Sequence, residues 1–401
     1  MTADRGGTIF IAATLGTLTA FGPFVTDFYL PVMPEMADFF HTSPAMVSMS
    51  LTTGMIGLAA GQALIGPLTD KHGRHRILVG SMTLFALASL LCILSRDIVL
   101  FNVARLFQGL AGAGGIVISK SIATDLYSGR DLARFMALLA AINGVAPVCA
   151  PLVGGVMSGL TNWQGIFAIL MAIGAALLVC SVMLKETLPP QRRIRKNVLV
   201  IYANLFRVFR NPVFTLCALS QMACHVTLFG YIAASPFILQ QIYGLTPLTF
   251  GLCFALNAFS ICAGSIISAR FRRASDSLRF GAWGLVGSTA CLAVVLVAHL
   301  PLLVVMIFYV TTLFSFGLTQ PGLTATALDS ERHNAGAASA IFGASAFVSG
   351  ALVSPVVTIG RIEVTSAATM TAGAVCVLLL ILPLCRVMAK GAAGRGTAGG
   401  A

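Results

Sequence analysis

The sequence predicts an all-α integral membrane protein with twelve transmembrane helices in two six-helix, pseudo-symmetric halves. Three observations lead to this fold class. Of the 401 residues, 57% are hydrophobic and only 9% are charged, whereas soluble proteins carry about 25% charged residues. Apolar runs recur at the length of roughly 20 residues that a helix needs to cross a bilayer. The basic residues are concentrated in alternate connections between these runs.

Six apolar runs precede a basic central loop and six follow it. The first six predicted spans cover residues 8–33, 45–67, 77–95, 98–120, 135–159 and 163–184. The other six cover residues 212–239, 247–268, 280–299, 301–325, 335–358 and 365–388. The predicted domains are therefore an N-terminal half at 1–184, a cytoplasmic central loop at 185–211, a C-terminal half at 212–390 and a flexible tail at 391–401.

The distribution of basic residues orients the chain. With the N-terminus inside, 22 of the 25 Lys and Arg residues fall in the predicted intracellular segments. This asymmetry follows the positive-inside rule and predicts that both termini are cytoplasmic. It also accounts for the net charge of +12 without nucleic acid, because such residues meet anionic lipid headgroups. We expect a multi-pass protein of the cell inner membrane. Part of the central loop forms either a helix along the inner surface or a solvated tether.

The sequence contains no pattern typical of an enzyme or a metal site. It lacks the H-E-x-x-H zinc motif, the phosphate-binding loop and the G-x-S-x-G nucleophile turn. The ten cysteines lie in or at the ends of apolar spans with no C-x-x-C pair, and His72 and His75 lack further ligands nearby. We therefore expect no enzymatic activity, no cofactor and no metal.

Short sequence patterns of the first half recur at a similar spacing in the second half, which indicates an internal duplication. One short match places Ser235 where the first half has Asp27, and an offset of 204 residues places Tyr309 opposite Arg105. Repeats of this kind are typical of transporters whose substrate site lies at the bilayer midplane. No Asp, Glu, Lys or Arg lies well inside a span of the second half. We therefore expect the first half alone to handle a coupled proton.

A loop motif makes a family resemblance specific. The stretch "GPLTDKHGRHR" resembles the signature between helices 2 and 3 of the major facilitator superfamily, G-x-x-x-D-R/K-x-G-R-R/K. The matching residues are Gly66, Asp70, Lys71, Gly73 and Arg74. The resemblance implies a conformational gate, in which Asp70 meets the positive end of helix 11 near Asn334. The alternative is a basic connector that only enforces topology.

Two further motifs lie inside spans. "VARLFQGLAGAGG" in span four resembles the family's second motif, an intramembrane Arg followed by Gln-Gly. "APVCAPLVGG" in span five resembles the antiporter motif G-x-x-x-G-P-x-x-G-G at Pro151, Gly154 and Gly155, with alanine replacing the first two glycines. Small residues there let helices approach closely, and ordinary close packing is the alternative explanation.

The first span indicates which branch of this superfamily the sequence resembles. "TDFYLPVMP" is similar to helix 1 of the bicyclomycin-resistance (Bcr/CflA) branch of drug:proton antiporters, and "KETLPPQRR" is similar to that branch's link after helix 6. The resemblance implies the major facilitator fold and proton-coupled efflux of drugs or small amphipathic solutes. A proton-coupled metabolite exporter or importer of the same fold stays open. A membrane receptor or enzyme without transport is disfavoured, because no extramembrane domain is present.

Asp27 and Arg105 are the candidate proton-coupling residues. Asp27 lies about seven residues before the outer end of span one, and Arg105 lies seven residues after the start of span four. At 1.5 Å per residue, both charges lie roughly 10 Å beneath the outer edge of the apolar core. Ionisable residues inside a membrane are functional candidates with a nearby partner, although a static ion pair is the alternative. Pro31 leaves the Asp27 carbonyl without its usual helical donor.

The substrate pocket is predicted from aromatic and polar side chains at suitable depths, each of which is equally a candidate for helix packing. These residues are Tyr29, Met55, Gln62, Gln108, Asn143, Tyr231, Asn257 and Gln320. An apolar, aromatic pocket with few polar anchors suits diverse amphipathic molecules. The expected partners are a small-molecule substrate, protons and membrane lipids, and the expected state is a monomer.

Overall fold

The computed structural model describes residues 5–193, 206–331 and 335–398, and all the secondary structure in these ranges is helical. Within these ranges, twelve helices are long and apolar enough to cross a membrane, which confirms the predicted fold class. The first six are α1 Ile9–Phe39, α2 Pro44–His72, α3 Arg74–Leu94, α4 Ile98–Leu126, α5 Gly129–Ser158 and α6 Trp163–Met183. The other six are α7 Pro212–Ile242, α8 Pro247–Ser268, α9 Ala274–Val297, α10 Leu302–Ser330, α11 Ala337–Thr358 and α12 Ile362–Met388.

Side-chain caps set the starts of several helices. Asn, Asp and Ser side chains accept hydrogen bonds from N–H groups that the first turn of a helix leaves unpaired. Ser43 caps α2, Asp97 caps α4, Asn162 caps α6 and Asn211 caps α7. Proline follows directly at Pro44 and Pro212, where its fixed φ suits the first helical position. These caps explain why several predicted starts agree closely with the structure.

Glycines allow α2 and α4 to cross almost backbone to backbone. A Cβ added at Gly57 would lie 2.1 Å from the Leu106 carbonyl oxygen, and one added at Gly109 would lie 2.0 Å from the Gly54 carbonyl oxygen. Close approach through small residues is a principal way in which membrane helices associate. Substitution of either glycine would push the two helices apart.

The second half repeats this crossing between α8 and α10. A Cβ at Gly264 or at Gly317 would lie 2.2 Å from a carbonyl oxygen of the facing helix. The matching crossings support the predicted internal duplication. They align Gly109 with Gly317 and so place Leu313, rather than the predicted Tyr309, at the position of Arg105. The two alternatives differ by one helical turn.

The described chain forms two compact units. The first contains α1–α6 together with residues Leu239–Ala255, which are the end of α7 and the start of α8, and the second contains the remainder of α7–α12. The predicted domain boundaries stay a prediction. The predicted surface helix of the central loop falls largely on residues 194–205, outside the described residues. The described ends of the loop carry short 3-10 turns at Pro190–Arg192 and Phe206–Arg210.

Candidate functional site

A break in α1 positions Asp27. The helical segment Phe21–Asp27 ends at this residue, and a 3-10 turn at Leu30–Val32 precedes the last segment, Met33–Phe39. Pro31 has no N–H to donate to the Asp27 carbonyl, so the α-helical hydrogen-bond pattern cannot continue. The structure thus shows the break in the helix at Asp27 that the missing N–H of Pro31 accounts for.

The Asp27 side chain is buried and incompletely paired. The residue is 4% exposed, and its Oδ1 atom has no hydrogen-bond partner. Among the described residues, Asp27 forms no ion pair. A buried carboxylate without a partner is costly, so this residue contributes little to stability in its charged form. Its position instead suits a group whose charge changes during function.

Arg105 reaches α1 at the depth of Asp27 but does not bind its carboxylate. The side chain is fully buried; Nη2 donates to the Val25 carbonyl at 2.6 Å, and Nη1 donates to Gln108 Oε1. The last carbonyls of a helical segment lack intrahelical partners, and the guanidinium satisfies one of them at the break. In this structure the static ion pair between Asp27 and Arg105 is therefore not formed, and their role in proton coupling stays a prediction.

Aromatic and polar neighbours hold the guanidinium in place. Arg105 Cζ lies 4.4 Å from the centroid of the Tyr29 ring and 5.6 Å from that of Phe167, distances at which a cation is attracted to a ring face. Tyr29 Oη is 2.8 Å from Ser50 Oγ. Tyr29 and Gln108 were predicted as substrate contacts, and here both pack around Arg105. Their role in substrate binding stays a prediction.

The other predicted pocket residues differ in exposure. Met55, Tyr231 and Asn257 are buried, Gln62 and Gln320 are partly buried, and Asn143 is exposed. Asn257 Nδ2 donates to Tyr231 Oη at 2.9 Å, whereas Asn257 Oδ1 is buried without a hydrogen-bond partner. A buried unpaired acceptor is costly unless a ligand or water reaches it. Asn257 is thus a stronger candidate contact in the second unit than Gln320.

The glycines of the antiporter motif bring α5 against two other elements of the first unit. A Cβ at Gly154 would lie 2.0 Å from the carbonyl oxygen of Phe28, the residue after Asp27. A Cβ at Gly155 would lie 2.6 Å from a carbonyl oxygen in the first turn of α8, and one at Gly251 would lie 2.8 Å from the Pro151 carbonyl oxygen. Pro151, Gly154 and Gly155 therefore pack α5 between the α1 break and the start of α8. A role in antiport stays a prediction.

The loop motif assembles charged residues at the turn between α2 and α3. Arg74 Nη1 donates to Asp70 Oδ1, and Arg74 Nε donates to Asp125 Oδ2 of α4 at 3.1 Å. The Arg74 side chain is only 9% exposed, so it bridges two helices from a nearly buried position. We call Asp70, Arg74, Asp125 and Glu186 the turn cluster.

Glu186, just after α6, completes the turn cluster. Its Oε1 accepts hydrogen bonds from the backbone N–H groups of Arg74 at 2.9 Å and Leu188 at 3.0 Å, and its Oε2 is 3.4 Å from Arg193 Nη2. Burial acts to raise the pKa of Glu186, but these hydrogen bonds and the Arg193 charge together hold that pKa below its usual value. Gly73 has φ 98°, and a Cβ there would lie 2.2 Å from Glu186 Oε2.

The remaining residues of the loop motif are less constrained. Lys71 is exposed, and a Cβ at Gly66 would meet only Val117, at 4.0 Å. The predicted contact of Asp70 with helix 11 near Asn334 lies outside the described residues. Asp125 and Glu186 were not predicted as members of the turn cluster. The sequence feature that could have indicated them is an acidic residue just after each of two predicted spans, span four for Asp125 and span six for Glu186.

Comparison with known proteins supports the fold and the resemblance. The sequence profile described as Major Facilitator Superfamily matches residues 13–355. The chain is 35% identical over 357 residues to a Bacillus subtilis (strain 168) protein named Uncharacterized MFS-type transporter YdgK, covering 88% of this chain and 89% of that protein. It is 27% identical over 395 residues to the Bicyclomycin resistance protein homolog of Haemophilus influenzae, covering 95% and 96%.

A solved structure has the same fold. The crystal structure of a bacterial homolog of the human lysosomal transporter Spinster, inward-facing and occupied, matches with a TM-score of 0.72 at 15% identity. The match covers 97% of this chain and 98% of that one.

Proposed function

The chain belongs to the Major Facilitator Superfamily and is a multi-pass membrane transporter, not an enzyme, and from this premise we propose that it couples solute efflux to proton entry. The proposed substrates are drugs or small amphipathic solutes, in keeping with the similarity to a bicyclomycin resistance protein homolog. The proposed location is the bacterial inner membrane, with both termini cytoplasmic. The protein works as a monomer, without a cofactor.

One observation carries the proposal: a buried aspartate with an unpaired carboxyl oxygen at the break of a transmembrane helix. A carboxylate created there needs a partner or water. A change of charge at Asp27 is therefore accompanied by rearrangement at the break. Asp27 takes up a proton when the transporter is open to the outside and releases it when open to the inside.

Arg105 is the group placed to respond to that change. In this structure its Nη2 atom binds the Val25 carbonyl, two residues before Asp27. A hydrogen bond from a charged donor contributes about 1.5–3 kcal/mol, whereas two opposite charges 4 Å apart attract by about 4 kcal/mol at an effective dielectric constant of 20. An ionised Asp27 competes with the Val25 carbonyl for the guanidinium, and a protonated Asp27 does not. The proton thus selects the partner of Arg105.

The proton gradient supplies enough free energy for concentrative export. One inward proton yields about 2.3 kcal/mol per 100 mV of membrane potential and about 1.4 kcal/mol per pH unit. With both at those values the total is about 3.7 kcal/mol, which supports a roughly 500-fold gradient of a neutral solute.

The test is a substrate screen in energised inverted membrane vesicles, with and without a protonophore. Asp27→Asn keeps the size of the side chain but removes titration, so protonophore-sensitive accumulation should disappear while binding remains. Asp38→Asn makes the same chemical change at an exposed acid of α1 and should leave accumulation unchanged. Wild-type accumulation by Asp27→Asn would exclude the proposed role. Flux in the opposite direction under the same gradient would indicate an importer.

A further inference from the structure

His225 is a titratable side chain within α7 that the proposed proton step does not use. It lies 13 residues after Pro212, the first residue of α7, or about 20 Å along the helix axis. The residue is 9% exposed, and Nδ1 lies 2.9 Å from the Gln221 carbonyl oxygen. That contact fixes the neutral tautomer with its proton on Nδ1. Nε2 is then a hydrogen-bond acceptor.

A second acceptor lies one helical turn away. Gln221 is 6% exposed, and its side-chain Oε1 is buried without a hydrogen-bond partner. Residues four apart share one face of a helix, so Oε1 of Gln221 and Nε2 of His225 belong to the same side of α7. A buried amide oxygen without a donor is unfavourable. Gln221 Oε1 therefore lacks a hydrogen-bond donor within the described protein, and His225 Nε2 is a second acceptor on the same side of α7.

Two aromatic rings pack against the His225 imidazole. The imidazole centroid lies 5.2 Å from that of Phe316, at an interplanar angle of 77°, and 5.8 Å from that of Phe229. Phe229 and Phe316 are 6% and 3% exposed, so the site is largely dry. Ring faces attract cations, and acceptors in such surroundings favour a ligand that brings both N–H donors and positive charge.

We propose that Gln221, His225, Phe229 and Phe316 bind an amphipathic cation with N–H donors, such as a primary ammonium, and that protonation of His225 opposes this binding. A neutral imidazole accepts a hydrogen bond from the ammonium. An imidazolium has no free acceptor and repels the cation. The inference rests on the proposed transport function and names its substrate class. It also makes the second unit sensitive to protons, in contrast to the expectation drawn from its lack of Asp, Glu, Lys and Arg.

Few other groups near α7 titrate in the relevant pH range. In the described chain α7 packs against α10, α11, α12 and the 3-10 turns Phe206–Arg210 and Val356–Thr358. The charged residues of these elements lie at helix ends or in the turns: Arg207, Arg210, Asp329, Glu363 and Arg386. The thiols and phenols of α7 and of these elements are those of Cys217, Cys224, Tyr231, Tyr309, Cys376 and Cys385. Such groups are ordinarily uncharged at pH 5.5–7.5.

The first experiment measures binding of three fluorescent ligands to purified protein in detergent. Dansylcadaverine carries a primary ammonium, its N-acetyl derivative is neutral, and its N-trimethyl derivative carries a cationic nitrogen without N–H donors; all three share the same sulfonamide N–H. The Asp27→Asn protein serves as the parent, which removes the carboxyl from the pH profile. We expect the ammonium to bind about tenfold tighter or better than either derivative at pH 8, and to weaken as pH falls to 5.5. If the three ligands bound with equal affinity, or if the ammonium did not bind, the proposed cation site would be refuted. This outcome does not depend on any substitution at His225.

The second experiment assigns the pH dependence to His225. His225→Gln keeps an acceptor but does not titrate, so binding should persist and lose its dependence on pH. His225→Phe and Gln221→Leu should each weaken ammonium binding by about tenfold. His299→Asn removes an exposed histidine at a positive φ that asparagine tolerates, and it should change nothing. An unchanged pH profile in His225→Gln would refute the proposal. Because binding needs no gradient, this result is independent of whether proton-driven transport is observed.

Discussion

Glu186→Gln removes one charge from the turn cluster and preserves the size of the side chain. In the wild type the carboxylate accepts backbone hydrogen bonds at 2.9 Å from Arg74 and at 3.0 Å from Leu188. A charged partner strengthens a hydrogen bond from about 0.5–1.5 to about 1.5–3 kcal/mol, a gain of about 1 kcal/mol for each bond. The partly exposed pair with Arg193 adds less than about 1 kcal/mol. We expect the free energy of unfolding to fall by about 2 kcal/mol.

The pH dependence of this loss follows from the lowered pKa of Glu186. Because the pKa is lower in the folded state than its ordinary value of 4.5, the stabilisation is complete above about pH 4.5 and disappears as the pH falls through the folded-state value. The assay is unfolding by sodium dodecyl sulfate in mixed micelles, followed by circular dichroism. The difference between wild type and Glu186→Gln should be full at pH 7 and shrink below about pH 4.5.

A matched control separates the cluster from a simple backbone contact. Glu35 Oε1 accepts a hydrogen bond from the Trp163 backbone N–H at 3.2 Å, with no ion pair among the described residues. Glu35→Gln should therefore cost less, about 1 kcal/mol. Wild-type stability of Glu186→Gln at pH 7, or a loss that stays constant at low pH, would refute the reasoning.

Two other substitutions test the backbone and the guanidinium. Gly73→Ala should destabilise the protein by more than about 2 kcal/mol in the same titration, because φ is 98° and the new methyl group meets Glu186. A neutral result would mean that the turn adopts another conformation. Arg105→Lys should retain less than half of the wild-type vesicle transport rate, because one ammonium lacks the fork that reaches both the Val25 carbonyl and Gln108. Full activity of Arg105→Lys would show that only the positive charge matters at this position, and not the shape of the guanidinium.

Much of the architecture could be predicted because the bilayer constrains the sequence strongly. A helix must be apolar for about 20 residues, and caps such as Asn162 and Asn211 mark where helices begin. The break at Asp27 was also predictable, because Pro31 removes a particular backbone donor. These features depend on residues that are close together in the chain.

Two residues of interest, Glu186 and His225, were not predicted from the sequence. Glu186 was missed because its role depends on a contact with a distant residue, and His225 because histidine was not counted among the titratable residue types. Glu186 joins the turn cluster because its carboxylate reaches Arg74, 112 residues away in sequence, and no local pattern indicates that meeting. His225 could have been found from the sequence, since imidazole is the side chain whose ordinary pKa lies nearest neutrality. The prediction that the second half is insensitive to protons rested on Asp, Glu, Lys and Arg alone.

The partner of Arg105 shows why depth in the membrane is easier to predict than contact. The rise of 1.5 Å per residue placed Arg105 level with Asp27, and the guanidinium does reach α1 within two residues of that position. Which atom it binds depends on the rotation of α1 and on which carbonyls the break leaves unpaired. Neither quantity is fixed by residue spacing. A carbonyl and a carboxyl two residues apart at one helix end thus present alternative partners to one cation, and their relative strength depends on the proton at Asp27.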